Sequence, residues 1–322
     1  MRLYEIQQNI EESINLTRYL PEVEDAIKKG ILASMDSLIN VKITPNVQAN
    51  IDETGKFGAV RSRVKLVSKM KKHCSANLQN VASSIMNMPN IIVYFDKMKK
   101  NNGEWYSDNS SIAINIKYLN DIKNRIWANW SAQIIKYNEG DTLDYLETAE
   151  SIIDEFKRYT FTPAVSAVVT NIAGVFIHEM VHAMQDKAAA AKGMNTDKAY
   201  RSYLTNKETF DKSIEDYKKA GFTEKEAYRF YRGSPQEIAA FANQEAAKFI
   251  KSKKLDQPGV QATPQRLSEL QTQLKYLNDI FKDTNNTTEI KIIRRYTTLM
   301  YKAVMDYVER KNELAQAKQN TR

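Results

Sequence analysis

Val165-Ser166-Ala167-Val168-Val169-Thr170-Asn171-Ile172-Ala173-Gly174-Val175-Phe176-Ile177-His178-Glu179-Met180-Val181-His182 is the stretch from which the rest of this 322-residue chain is read. Between Val165 and Ile177 there is no charge and no proline, so the segment reads as a buried helix running straight into two histidines. His178 and His182 are two of three histidines in the chain and stand four residues apart. On an α-helix that spacing is about 40° around the axis and roughly 6 Å along it, so both rings leave one face. Two neutral imidazoles so placed reach one Zn²⁺ at about 2.0–2.1 Å. Glu179 lies about 100° round from His178, near such an ion but offset from it, where a carboxylate can take a proton from a water bound there. A spacing of two or five would separate the rings. The plain alternative is a core helix whose histidines are only hydrogen-bonded, and the scarcity of histidine argues against it. Gly174 costs this helix up to about 1 kcal/mol relative to alanine, which points to another backbone approaching there.

Working outward, 42% hydrophobic and 27% charged residues are ordinary for a globular chain with a sizeable core. The net charge of +8 and a pI near 9.2 are compatible with an anionic partner, but the basic residues are spread along the chain and serve solubility equally well. Arg61, Arg63, Lys65, Lys69, Lys71, Lys72 and His73 do cluster without an acid. No aromatic residue interleaves with them to stack bases, so they read as a solvated helix face and nucleic acid is not an expected partner. The single cysteine, Cys74, excludes an internal disulfide and a thiolate zinc cluster. The first residues, MRLYEIQQNIEESINL, do not resemble a secretory signal. Phe161 to Ile177 comes nearest to a membrane span but is short and interrupted by Thr162, Pro163, Ser166, Thr170 and Asn171. No membrane association is expected, and the location is cytoplasmic or virion-associated.

The expected fold is α+β and predominantly helical, in three regions. Residues 1–89 form a helical N-terminal region: two helices broken at Leu20-Pro21, a short strand at Val41 to Thr44, and a long amphipathic helix from Val60. Val64, Val67, Cys74, Leu78, Val81, Ile85 and Met88 make the apolar face of that helix. Residues 90–252 carry strand-like runs at Ile91 to Phe95, Gly103 to Tyr106 and Ile112 to Ile116, expected as a small antiparallel sheet packed on the HExxH helix. Asp121 to Lys157 reads as helical, with Trp127, Trp130, Ile134 and Ile135 on one side and a break near Gly140. Thr162-Pro163 opens the HExxH helix as N-cap and first turn, and Ser234-Pro235 opens another that runs to about Lys251. Residues 253–322 read as a helical hairpin turning around Asp283 to Asn286, its second helix lined by Ile290, Ile293, Tyr296, Met300, Val304, Tyr307 and Val308.

A catalytic zinc takes three protein ligands and keeps one position open. Cysteine is excluded by number, and His73 sits in the basic helix. A downstream carboxylate is the better candidate, and Glu237 is the choice because Ile238-Ala239-Ala240 after it can pack closely on the HExxH helix. Ser234-Pro235-Gln236-Glu237 also fits a capping box, which would turn Glu237 back onto Ser234. Glu245 and Glu226 remain as other candidates.

With strands, HExxH helix and downstream glutamate in this order, residues 90–250 resemble the zincin metallopeptidases, in particular the glutamate-liganded gluzincin group. The resemblance implies His178, His182 and Glu237 as zinc ligands, Glu179 as general base, and Ile112 to Ile116 as an edge strand against which an extended peptide substrate pairs. Thermolysin-like members follow the glutamate ligand four residues later with an aspartate that orients a zinc histidine, whereas this chain has Phe241. They also use a further histidine at the oxyanion. None is left downstream here, so Tyr231 takes that role, with Tyr228 and Arg232 as alternatives. The implied activity is zinc-dependent peptide hydrolysis. The opening MRLYEI and the richness in lysine, asparagine and isoleucine resemble proteins of large tailed phages. That resemblance implies an alternative: a virion or tail assembly protein with a zincin-like fold, its helical flanks contacting other virion proteins.

Overall fold

The structure is a computed structural model that describes residues 14–39, 60–99, 101–139, 160–191, 221, 223–233, 235–257, 260–270, 277, 280–281 and 287–320. Residues 1–13 of the expected first N-terminal helix, the strand at Val41 to Thr44, the break near Gly140 and the turn at Asp283 to Asn286 lie outside these residues; the described end of that expected helix carries a 3₁₀ turn at Thr17–Tyr19 and no α-helix before Leu20. As expected, the fold is α+β and mostly helical. It divides into two compact units, Glu22–Ala173 and Met1–Pro21 with Gly174–Arg322. This partition differs from the three regions of sequence, because segments distant along the chain pack together.

In the unit Glu22–Ala173, helix α1 (Leu20–Ile39) meets helix α2 (Val60–Met86) at Gly30. The expected break at Leu20-Pro21 is the start of α1, where proline costs nothing because the first turn has no hydrogen bond for it to remove. A Cβ on Gly30 would stand 2.7 Å from Cys74 Sγ and 2.8 Å from both Cys74 Cα and N, so the two backbones touch. Asn77 Nδ2 donates to Ala26 O at 3.1 Å beside this contact. The crossing decides which face of α2 turns inward: Leu66, Met70, Cys74, Leu78, Ala82 and Met86 are buried, in steps of four. The helix is where the periodicity put it, but the face is so only in part: Cys74 and Leu78 are buried, whereas Val67, Val81 and Ile85 are only half-buried. Helices pack along i±4 ridges, and a sequence with apolar residues on two adjacent ridges does not say which one a partner will fill. Burial pushes the Cys74 thiol up to about 12, so it is a packing residue rather than a nucleophile.

The sheet is mixed, which corrects the antiparallel expectation. Its order is β1 (Ile92–Asp96), β3 (Ser111–Asn115), β2 (Gly103–Tyr106), with β1 parallel and β2 antiparallel to β3. β3 is therefore the middle strand, and the edge role expected of Ile112 to Ile116 is overturned. All five of its residues are buried and both of its sides are paired, which leaves no free ladder for a peptide. Asn115 explains the order. Its Nδ2 donates to Met98 O at 3.1 Å and Asn101 O at 2.8 Å, and its backbone N–H to Asn102 O at 2.9 Å. These bonds anchor the connection leaving β1 at the end of β3, so β2 is delivered to the far side. Helix α3 (Lys117–Glu139) follows and buries Leu119, Ile122, Ile126 and Trp127. The side chains of Trp130, Ile134 and Ile135 lie outside the described residues.

Helix α4 (Pro163–Ala191) begins as the sequence indicates: Thr162 Oγ1 accepts from Val165 N at 3.3 Å, with proline in the first turn. Every residue from Ile172 to Val181 is buried. Pro163–Ala188 is long and apolar enough to cross a membrane, but most of it is buried within the protein, the disposition of a core helix.

In the unit containing Gly174–Arg322, helices α5 (Glu224–Arg232), α6 (Pro235–Ser252), α7 (Pro264–Ser268) and α8 (Thr287–Asn320) follow α4. α6 packs along α8, whose Tyr296, Met300, Val304 and Tyr307 are buried as expected. α4 and α6 approach at Gly174, where a Cβ would lie 3.3 Å from Gln244 Cγ. The nearest neighbour is thus a side chain, with Gln244 O further off at 3.8 Å, rather than the closely approaching backbone the glycine suggested. On α6, Asn243 holds the segment before α1: its Oδ1 accepts from Leu16 N at 2.9 Å, Thr17 N at 3.1 Å and Thr17 Oγ1 at 2.9 Å. α5 is tied to α8 by an Arg229–Glu289 ion pair and by Tyr296 Oη donating to Arg232 O at 3.0 Å.

Candidate metal centre

α4 and α6 bring three donor residues together. His178 and His182 leave one face of α4 as their spacing requires, and Glu237 comes from the first turn of α6. The two Nε2 atoms are 3.2 Å apart. Glu237 Oε2 lies 3.4 Å from His178 Nε2, and Oε1 lies 3.5 Å from His182 Nε2. A tetrahedral ion bonded at about 2.0–2.1 Å sets its donors about 3.3–3.4 Å apart; the two imidazole nitrogens are close to that spacing, and Glu237 turns one carboxylate oxygen toward each of them. The set of two imidazoles and a carboxylate suits a divalent transition metal. It is the group the described residues assemble for such an ion, all its ligand atoms lying within 4.8 Å of one another.

The site is sunk, and His182 is its most exposed member, with 17% of its side-chain surface exposed against 8% for His178 and 10% for Glu237. Its electrostatics favour a cation. Burial raises the Glu237 pKa, but the charge of His182 and hydrogen bonds from both histidines outweigh this and hold the carboxyl well below the usual range. Burial likewise opposes charge on His182. The charge and hydrogen bond of Glu237, the charge of Glu179 and a hydrogen bond to Gln185 overcome it, carrying the imidazole up to about 9. Positive charge at this point is thus stabilised by two acids on two helices.

The other expected residues divide. Glu179 is buried, and its charge reaches both His182 and Tyr231. Tyr231, at the end of α5, hydrogen-bonds to Glu237; burial, then that carboxylate, then Glu179 raise its pKa far above the phenol range, with Arg232 offsetting part of the rise. It stays a neutral donor. Arg232 does not face outward as an oxyanion cation: it is buried, with Cζ 3.4 Å from the centroid of the Phe241 ring. Tyr228 is 40% exposed and 5.8 Å from the same guanidinium. Glu226 is spent on a capping box with Thr223 that opens α5, and Glu245 pairs with Lys248 at 2.8 Å. Neither joins the centre. Ser234 lies outside the described residues, but the Glu237 carboxylate faces the histidines.

Two participants were not singled out from sequence. Gln185 Oε1 lies 3.1 Å from His182 Nδ1. Phe241, noted only as a departure, packs edge-on against His178 with centroids 4.5 Å apart, while His178 Nδ1 is buried with no hydrogen-bond partner among the described residues. The only advance signal for Gln185 was its place one helical turn beyond His182. No protein-family model matches the chain, and no curated protein or solved structure is significantly similar to it. The functional reading therefore rests on this geometry.

Proposed function

We propose that the chain is a zinc-dependent metallopeptidase that hydrolyses peptide bonds, with a zincin-like centre. The observation that carries this is the donor triangle of His178, His182 and Glu237 with Glu179 buried beside it. Bound there, the metal would polarise the scissile carbonyl and lower the pKa of the attacking water. Glu179, buried beside the three donor residues, would serve as the base that takes a proton from the attacking water and returns it to the leaving amine. Tyr231 donates its hydroxyl hydrogen bond to the oxygen that gains charge, exchanging it from Glu237. Peptide pairing on β3 is not part of the proposal, because that strand has no open side.

The test is Glu179→Gln assayed on unfolded protein substrates, with metal content measured in parallel. Cleavage should fall by about 10²–10⁴-fold while metal stays bound, and wild-type activity should vanish with chelator and return with zinc. A Glu179→Gln protein that cleaves at the wild-type rate refutes the mechanism. A wild-type protein that binds zinc but cleaves nothing would favour the assembly-protein alternative, with the metal in a structural role.

A further inference from the structure

The two histidines are not held alike. His182 Nδ1 is 3.1 Å from Gln185 Oε1, and Gln185 is buried one turn further along α4. His178 Nδ1 has no such partner, and its ring meets the edge of Phe241 instead. We propose that Gln185 is a positioning residue that fixes His182 as the Nδ1–H tautomer, so that its Nε2 lone pair faces Glu237 and His178. The inference rests on the metal-centre reading and adds to it a residue that touches neither metal nor substrate.

An amide oxygen can only accept, so a bond to it requires a proton on Nδ1; once the ring has given up its other proton to make room for a metal, the one that remains is held on Nδ1 and Nε2 is free to donate its lone pair. Without that acceptor His182 loses the anchor for both tautomer and ring angle, and being the more exposed of the pair it has less packing to replace it. His178 does not need the same device. Buried on α4 and walled by Phe241, itself backed by the Arg232 guanidinium, it is oriented by shape. The asymmetry predicts that polar substitution matters at position 185 and shape at position 241.

The experiment is zinc affinity, measured by competition with a chromogenic chelator, for wild type, Gln185→Leu, Gln185→Asn and Gln185→Glu. Leucine keeps the volume without the acceptor, and asparagine draws the oxygen back by one methylene. Both should weaken zinc binding by about 10–100-fold, the usual effect of removing an outer hydrogen-bond partner of a ligand. Glutamate offers only acceptors and should bind zinc at least as tightly as wild type, a rescue that a role for the amide NH₂ would not give. In chelator, the melting temperatures of the four proteins should agree within about 2 °C, since the residue acts on the ligand rather than on the fold. Equal zinc affinity in all four, or failure of glutamate to rescue, overturns the assignment. If wild type itself binds no zinc, the metal-centre reading fails first.

Discussion

Substituting Gly30 by alanine tests the packing that orients α2. The added Cβ would sit 2.7 Å from Cys74 Sγ and 2.8 Å from its Cα and N, whereas carbon atoms in good contact stand about 3.5–4.0 Å apart. Two of the three obstructing atoms are backbone, so no rotamer change relieves the overlap and the helices must separate by about 1 Å. Ile27 and Ile31 on α1, with Met70 and Leu78 on α2, are fully buried around this point and would lose contact as the gap opens. Overpacking of this kind costs about 1–3 kcal/mol, at the upper end for a rigid obstacle, and the better helix propensity of alanine returns up to about 1 kcal/mol. The net loss is about 2 kcal/mol. With a urea m-value of about 2–3 kcal/mol/M, the unfolding midpoint falls by about 0.7–1 M. Gly174→Ala is the control: its nearest neighbour is the Gln244 side chain at 3.3 Å, which can shift, so gain and loss should cancel to within about 0.5 kcal/mol. A Gly30→Ala protein as stable as wild type would refute the crossing and the choice of buried face that follows from it.

Glu237→Gln keeps the shape of the third donor but removes its charge. It should weaken zinc binding by more than the roughly 100-fold limit for losing an outer partner, and an unchanged affinity would remove Glu237 from the ligand set. Asn243→Ala strips the acceptor from Leu16 N, whereas Thr17 Oγ1 keeps the backbone O of residue 243 and Thr17 N keeps Asn15 Oδ1. Leaving one buried donor unsatisfied costs about 1–3 kcal/mol, so the urea midpoint should fall by about 0.5–1 M, and a shift too small to resolve would mean the segment is held by something else.

Whatever depends on neighbours within a turn or two was legible in the chain. The α4 start at Thr162-Pro163, the shared face of His178 and His182, the offset of Glu179 and the α6 start at Pro235 follow from helical geometry alone, because 3.6 residues per turn convert sequence spacing directly into direction. Glu237 was also the carboxylate chosen from sequence, through the small residues that follow it, ahead of the capping box and of Glu226 and Glu245. Only the packing of α6 on α4 turns one carboxylate toward the histidines while the others find nearer partners in Thr223 and Lys248. The buried ridge of α2 and the strand order were likewise decided by distant contacts, Gly30 on Cys74 and Asn115 on the 97–102 connection. A chain's own spacing sets where a side chain points along its helix or strand. Which of several eligible faces is then buried depends on the partner that arrives, and that choice is made only in the folded molecule.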